Sequence, residues 1–164
     1  MGHRYTVAMV DQTIVADATL VIIRTAAALT TRASIISVLR AAVSQRGTAT
    51  SQQLGVLIGT KAAAFGTYSS TTPNPHVLGG AASGIAGGTA GAAATSGTDA
   101  SAEGAGAVTT LLEDGFNNLN GWLWVPTPEE RILVPTDTAV IVKIVGTPTT
   151  LTGWDAYLTF EEIN

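Results

Sequence analysis

The segment Asp137 to Gly146, DTAVIVKIVG, leaves its backbone little choice. β-Branched side chains are stiff in a helix and pack well on a pleated surface, so a run of Val and Ile selects a strand. Ala139, Ile141, Lys143 and Val145 alternate there against Val140, Val142 and Ile144. The same signal recurs along the chain. RYTVAMV puts Tyr5, Val7 and Met9 on one face, and TLVIIRT and QLGVLIGTKA follow. In the last of these, Gly55 and Gly59 mark bulges or close backbone approach. AVTTLLE, WLWV and a short edge segment in ERILVP come later. The ending, PTTLTGWDAYLTFEEIN, sets Trp154, Ala156, Leu158 and Phe160 opposite Asp155, Tyr157, Thr159 and Glu161. Roughly eight strands at short spacing predict an all-β fold, an antiparallel β-sandwich or a barrel. We take a jelly-roll-like sandwich as the expectation. One run is ambiguous: in ASIISVLRAAVSQ, Ile35, Val38, Leu39 and Ala42 fit a helix, while Ile36, Val38 and Arg40 fit a strand. Its strand neighbours favour strand, with helix left open over residues 34–46.

The chain's 164 residues suffice for one domain with a real core. Residues 66–106 interrupt the β-type sequence with Gly, Ala, Ser, Thr and Pro. Nearly every side chain in AASGIAGGTAGAAATSGTDASAEGAGA is small. Such sequence buries too little apolar area to offset its ordering entropy. The expectation is one long Gly/Ala-rich loop, either a plain insertion or an arm that orders against a neighbouring subunit. If it is an arm, its inter-subunit contacts would come from Pro73, Pro75, Val77, Leu78 and Ile85.

Hydrophobic residues make up 46% of the chain and charged residues only 12%. That charge fraction is about half of the usual value for soluble domains. Two explanations stand: much of the surface faces other protein, or the exterior is neutral and hydroxyl-rich. Nucleic-acid binding normally rests on a basic patch, but the net charge is −4 and the eight Lys and Arg residues are scattered. The chain has no cysteine, which excludes disulfides and thiol chemistry. Arg24 and Arg32 break the longest apolar stretch, and MGHRYTVAMVDQ has no apolar signal region, so neither a membrane span nor secretion is expected.

Catalytic signatures do not assemble. On a strand, the neighbours in Glu113/Asp114, Glu129/Glu130 and Glu161/Glu162 point to opposite faces, and paired-carboxylate catalysis needs two groups converging across a cleft. Solvated strand ends explain these pairs more simply. His3 and His76 lack the partners of a metal site. In GVLIGTK, Lys61 falls one residue late for a phosphate loop and is followed by Ala62. The expectation is a protein that is not an enzyme and uses no cofactor or metal.

GWLWVPTPEER, residues 121–131, holds two of the three tryptophans and two of the six prolines. Trp122 and Trp124 share one strand face. Pro126 and Pro128 cannot donate to a sheet ladder and suit an edge or corner. Glu129 or Glu130 is placed to pair locally with Arg131. A structural corner, a subunit contact and a tryptophan sugar platform are the readings, in that order.

Several blocks also resemble small structural proteins of tailed bacteriophages. They are Arg4-Tyr5-Thr6-Val7, Thr72-Pro73-Asn74-Pro75, Val125 to Arg131 with Val134, and Leu158 to Ile163. Members begin with a short R-x-Y-x-V strand and carry a TP-x-P motif in a Gly/Thr/Pro-rich middle. They close on an aromatic-PTPEER stretch and a terminal L-x-F-E-E-I. The resemblance is densest after residue 115. It departs at the Ala-rich stretch near residues 26–45 and the Gly/Ala run near 79–107. It implies a capsid cement or decoration protein, made in the host cytoplasm and carried on the outer capsid surface. The implied partners are the major capsid protein and the chain itself, as a homotrimer. A tail, neck or head-fibre component and a carbohydrate-binding module are the alternatives.

Overall fold

The computed structural model describes residues 3–47, 50–88 and 92–163. Among the described residues, thirteen strands form two sheets packed face to face, antiparallel except where the two-residue β7 runs parallel to β8. In chain order they are β1 (His3–Gln12), β2 (Thr19–Arg24), β3 (Ile36–Gln45), β4 (Gln53–Lys61), β5 (Gly66–Ser70), β6 (Asn74–Pro75) and β7 (Ala86–Gly87). There follow β8 (Thr95–Glu103), β9 (Val108–Asn117), β10 (Trp122–Trp124), β11 (Ile132–Val134), β12 (Ala139–Val145) and β13 (Trp154–Glu162).

The first sheet runs β10–β3–β13–β1–β6, with β11 also paired to β3; the second runs β5–β8–β2–β12–β4–β9. With β10 and β11 counted as one interrupted strand, β10/β11–β3–β13–β1 faces β2–β12–β4–β9. That is jelly-roll connectivity, as the alternation led us to expect. Strands β5 to β8 are an insertion between the fourth and fifth strands of the roll. They widen both sheets, β8 joining β2 and β6 joining β1.

The core lies between the sheets. Tyr5, Val7 and Met9 from β1 meet Trp154, Ala156, Leu158 and Phe160 from β13, together with Val140, Val142 and Ile144 of β12. The ambiguous 34–46 run is a strand from Ile36 onward. Its register against β13 slips between Thr159 and Phe160, leaving Leu39 as an extra residue. A bulge of this kind reverses the inward parity. Ile36 and Val38 face the core before it, and Ala41 and Val43 after it. The three-residue step from Val38 to Ala41 imitates a helical period.

The expected long loop at 66–106 is corrected in part. Strands β5 and β8 pair from Gly66↔Glu103 to Ser70↔Gly97, and Thr95–Thr98 pairs with β2. Sheet hydrogen bonds and close backbone packing order this stretch where apolar side chains are scarce. A Cβ at Gly97 would lie 1.9 Å from Tyr68 Cδ2, so the Tyr68 ring covers bare backbone. A Cβ at Gly104 would lie 1.8 Å from the Ala64 carbonyl oxygen, and one at Gly106 the same distance from that of Ala63. Small residues do permit close approach here, but to the chain's own backbone. The expected run from 79 to 107 also includes residues 89–91, which lie outside the described residues.

Candidate functional site

The corner is an excursion from an edge strand. Trp122–Trp124 pairs with Val43–Ala41, and Ile132–Val134 resumes on the same partner at Val38–Ile36. Between them the prolines force the chain off the ladder, since they have no N–H to give it. Pro126 is buried, and Pro128–Glu130 forms a single 3-10 turn. Glu130 turns back to Thr127, accepting from its N–H at 3.4 Å and its hydroxyl at 3.2 Å. The expected local pair with Arg131 is therefore not made by Glu130. Arg131 Nε is buried without a hydrogen-bond partner among the described residues.

The tryptophans face inward. Trp122 is buried in the main core, Trp124 packs against it, and Trp122 Nε1 donates to Asp114 Oδ2 at 3.1 Å. Two rings turned toward the core do not offer the open platform that a sugar stacks on.

The two most specific blocks of the resemblance meet in space. Pro128, Glu129 and Arg131 form one wall of a cleft of about 390 Å³, and Glu161, Glu162 and Ile163 line it as well. Glu162 corrects the expectation of solvated carboxylates, because it is 3% exposed. Its Oε1 accepts from Ser83 Oγ at 2.6 Å and from the Gly84 N–H at 2.8 Å, and Arg32 Nε stands 4.0 Å from Oε2. The terminal Glu thus clamps the insertion to the sandwich. No sequence signal singled out this role, because its partners lie 78 and 79 residues away.

The five arm candidates separate. Pro73 is buried, and Pro75 is exposed but pairs with Tyr5 through β6. Ile85 departs from the expected inter-subunit contact: it is fully buried in its own chain's core, behind the Glu162 clamp. Val77 and Leu78 alone stand out at a loop tip.

The outer faces of the two sheets differ. On the second sheet, Ile22, Leu57 and Ile141 point away from the main core yet are buried by Phe65, Tyr68 and Ala100. Glu103 closes this roof. It accepts from the N–H and hydroxyl of Thr19 and lies 3.9 Å from Lys61 Nζ and 3.7 Å from Lys143 Nζ. Lys61 also donates to the Gly104 carbonyl at 3.0 Å. Burial pulls the Lys61 ammonium below its ordinary range, opposed by Glu103 and reinforced by Lys143.

On the first sheet the outer face is bare. The register aligns Leu123, Ala42, Tyr157 and Ala8 in one row across four strands. Leu123 is 60% exposed, and shallow grooves of about 270 and 300 Å³ flank Tyr157. Charged residues flank this row. Arg46 holds Asp155 through two bonds of 2.7 and 2.6 Å, Arg4 lies opposite Glu161, and Arg40 stands over the Tyr157 ring at 4.9 Å. The row itself is uncharged, and the Arg40 guanidinium is the charge that reaches over it at Tyr157.

No group of three or more metal-ligating side chains occurs among the described residues, and none of the described helices is long and apolar enough to cross a membrane. Searches of family models, curated proteins and solved structures find no match to this chain.

Proposed function

We propose that this chain is a structural virion protein, a cement or decoration protein of a tailed-phage head that seats on the major capsid protein. The observation that carries this reading is the bare first-sheet face. A row of Ala8, Tyr157, Ala42 and Leu123 crosses four strands without a charged residue of its own, with Arg40 laid over the Tyr157 ring, while the other outer face is roofed by the chain itself over Ile22, Leu57 and Ile141. A rigid plate with one side left open suits a protein that works by adhesion. The low charge of the chain and the resemblance of its terminal motifs support the same reading. Binding of this kind stabilises the assembled shell by mass action, because only the assembled lattice presents the full seat.

Imaging of purified particles tests it. Density for this sandwich on the outer capsid lattice is expected, with the first-sheet face toward the shell. A lattice without it overturns the cement reading, and density confined to the neck or tail moves the protein to another virion role. Leu123→Asp sharpens the test. It places a charge at an exposed leucine on the β10 edge of the bare face and is expected to cut shell binding at least tenfold, a loss of about 1.4 kcal/mol, with the fold intact.

A further inference from the structure

The loop from His76 to Gly80 ends in a fixed apolar point. Its base is tied to β1: the His76 N–H donates to the Arg4 carbonyl at 3.0 Å, and His76 Nε2 lies 2.6 Å from Thr6 Oγ1. The Gly80 N–H closes on the Val77 carbonyl at 2.8 Å, with Gly79 at φ 74°. A left-handed glycine at the third position of a four-residue turn is the type II arrangement, and it fixes Leu78 at the apex. Leu78 is 103% exposed and Val77 70%. Beside this point lies a groove of about 550 Å³, walled in part by Pro75, Val77, Gly80 and Ala81 over the buried Tyr5. Leu78, at full exposure, does not fill it.

We propose that the Leu78 side chain of a second copy occupies this groove, each copy lending its leucine to the other. A knob and a hole on one patch are what a two-fold, self-complementary contact requires. The turn is already ordered, so docking would cost little further entropy. A groove of this size lies within the range that takes compact apolar groups. Charge does not oppose the contact: Arg4 is the one Lys or Arg in the lining, and Glu161 stands opposite it in register. The eight lining residues and Leu78 amount to less than half of the roughly 20–30 residues per side of a standard interface. The pair is therefore weak in solution and gains strength where many copies share one surface. This patch borders the proposed shell seat and shares Arg4 with its rim, but not the uncharged row, and the pairing does not rest on the capsid reading.

Sedimentation velocity from about 10 μM to about 1 mM tests the proposal. The expected result is a monomer that becomes a dimer within this range. Leu78→Asp should remain monomeric with an unchanged melting curve, since its side chain touches no core. Leu123→Asp should dimerise like the wild type, even where it no longer binds shells. In a sample of mixed isotope labelling, the Leu78 methyls should give intermolecular NOEs to the Pro75 or Ala81 protons of the partner subunit. A wild type that is monomeric throughout overturns the proposal. So does dimerisation that survives Leu78→Asp, and so does a trimer, the stoichiometry that the resemblance implies.

Discussion

The two outer faces of this sandwich are built from similar strands and end differently. The second sheet's outer face is apolar through Ile22, Leu57 and Ile141, and the chain covers it with its own insertion. The first sheet's outer face carries smaller and more polar residues, Ala8, Ala42, Ser44 and Tyr157, and is left open. An aliphatic face left in water would cost about 25 cal/mol for each Å². The insertion removes that cost on one side. The other side is mild enough to stay exposed, which keeps it available to a partner.

The comparison can be broken most directly by truncating one residue from each face. Ile141→Ala should lower unfolding stability by about 2–5 kcal/mol, because it opens a cavity under the roof. Leu123→Ala should stay within about 0.5 kcal/mol of the wild type, as surface substitutions usually do. Urea denaturation of both variants checks the contrast, and equal losses would mean that the first face is not bare in solution.

Loosening the roof without emptying it should cost less. Gly104→Ala drives a methyl into the Ala64 carbonyl, and overpacking of this kind costs about 1–3 kcal/mol. Hydrogen exchange should show faster amides in β8 than in β13. The same loss spread evenly over both sheets would argue that the roof and the sandwich open as one unit.

Glu162→Ala tests the insertion's other attachment. It strands the Ser83 hydroxyl and the Gly84 N–H, at a cost of about 1–3 kcal/mol, reduced if water reaches them. Loss of exchange protection at Gly84 and Ile85, with β8 unchanged, would show that the clamp and the roof are independent.

The smallest effect is a dependence on alkaline pH. The folded value of Lys61 lies below its ordinary value, so the unfolded chain holds that proton more tightly. Stability therefore carries a constant penalty below the lowered folded value. It rises with pH between that value and the ordinary 10.5. Tyr5, raised chiefly by burial and next by Glu162, acts in the opposite sense over the alkaline range. The difference between wild type and Lys61→Met isolates the lysine: the wild type should gain on the variant as the pH climbs. A flat difference would place Lys61 in water rather than under the roof.

Much of the sandwich was legible locally. The alternation of Val140, Val142 and Ile144 against Ala139, Ile141 and Val145 sorted these residues onto the two faces that the fold uses. The bulge at Leu39 blurred the same reading in β3, because one inserted residue shifts every later side chain to the other face. Of the corner, its turn was legible from Pro126 and Pro128, but the destination of Glu130 was not. A carboxylate chooses among donors that the fold brings near, and the Thr127 groups proved closer than Arg131.

The insertion marks the boundary between sequence and tertiary structure. By itself the sequence determined the strand content and the inward faces of the long strands, through side-chain shape and a period of two. It also fixed the scarcity of charge and the small side chains of residues 66–106. Tertiary structure decided what those small residues do. Glycine's freedom is compatible with a loop, an arm or a strand, and only the nearness of Tyr68, Ala63 and Ala64 made it part of a roof. Tertiary structure likewise sent Ile85 into the core while leaving Val77 and Leu78 outside. All three are aliphatic and lie within nine residues of one another, and what separates them is the space the rest of the sandwich had left to fill.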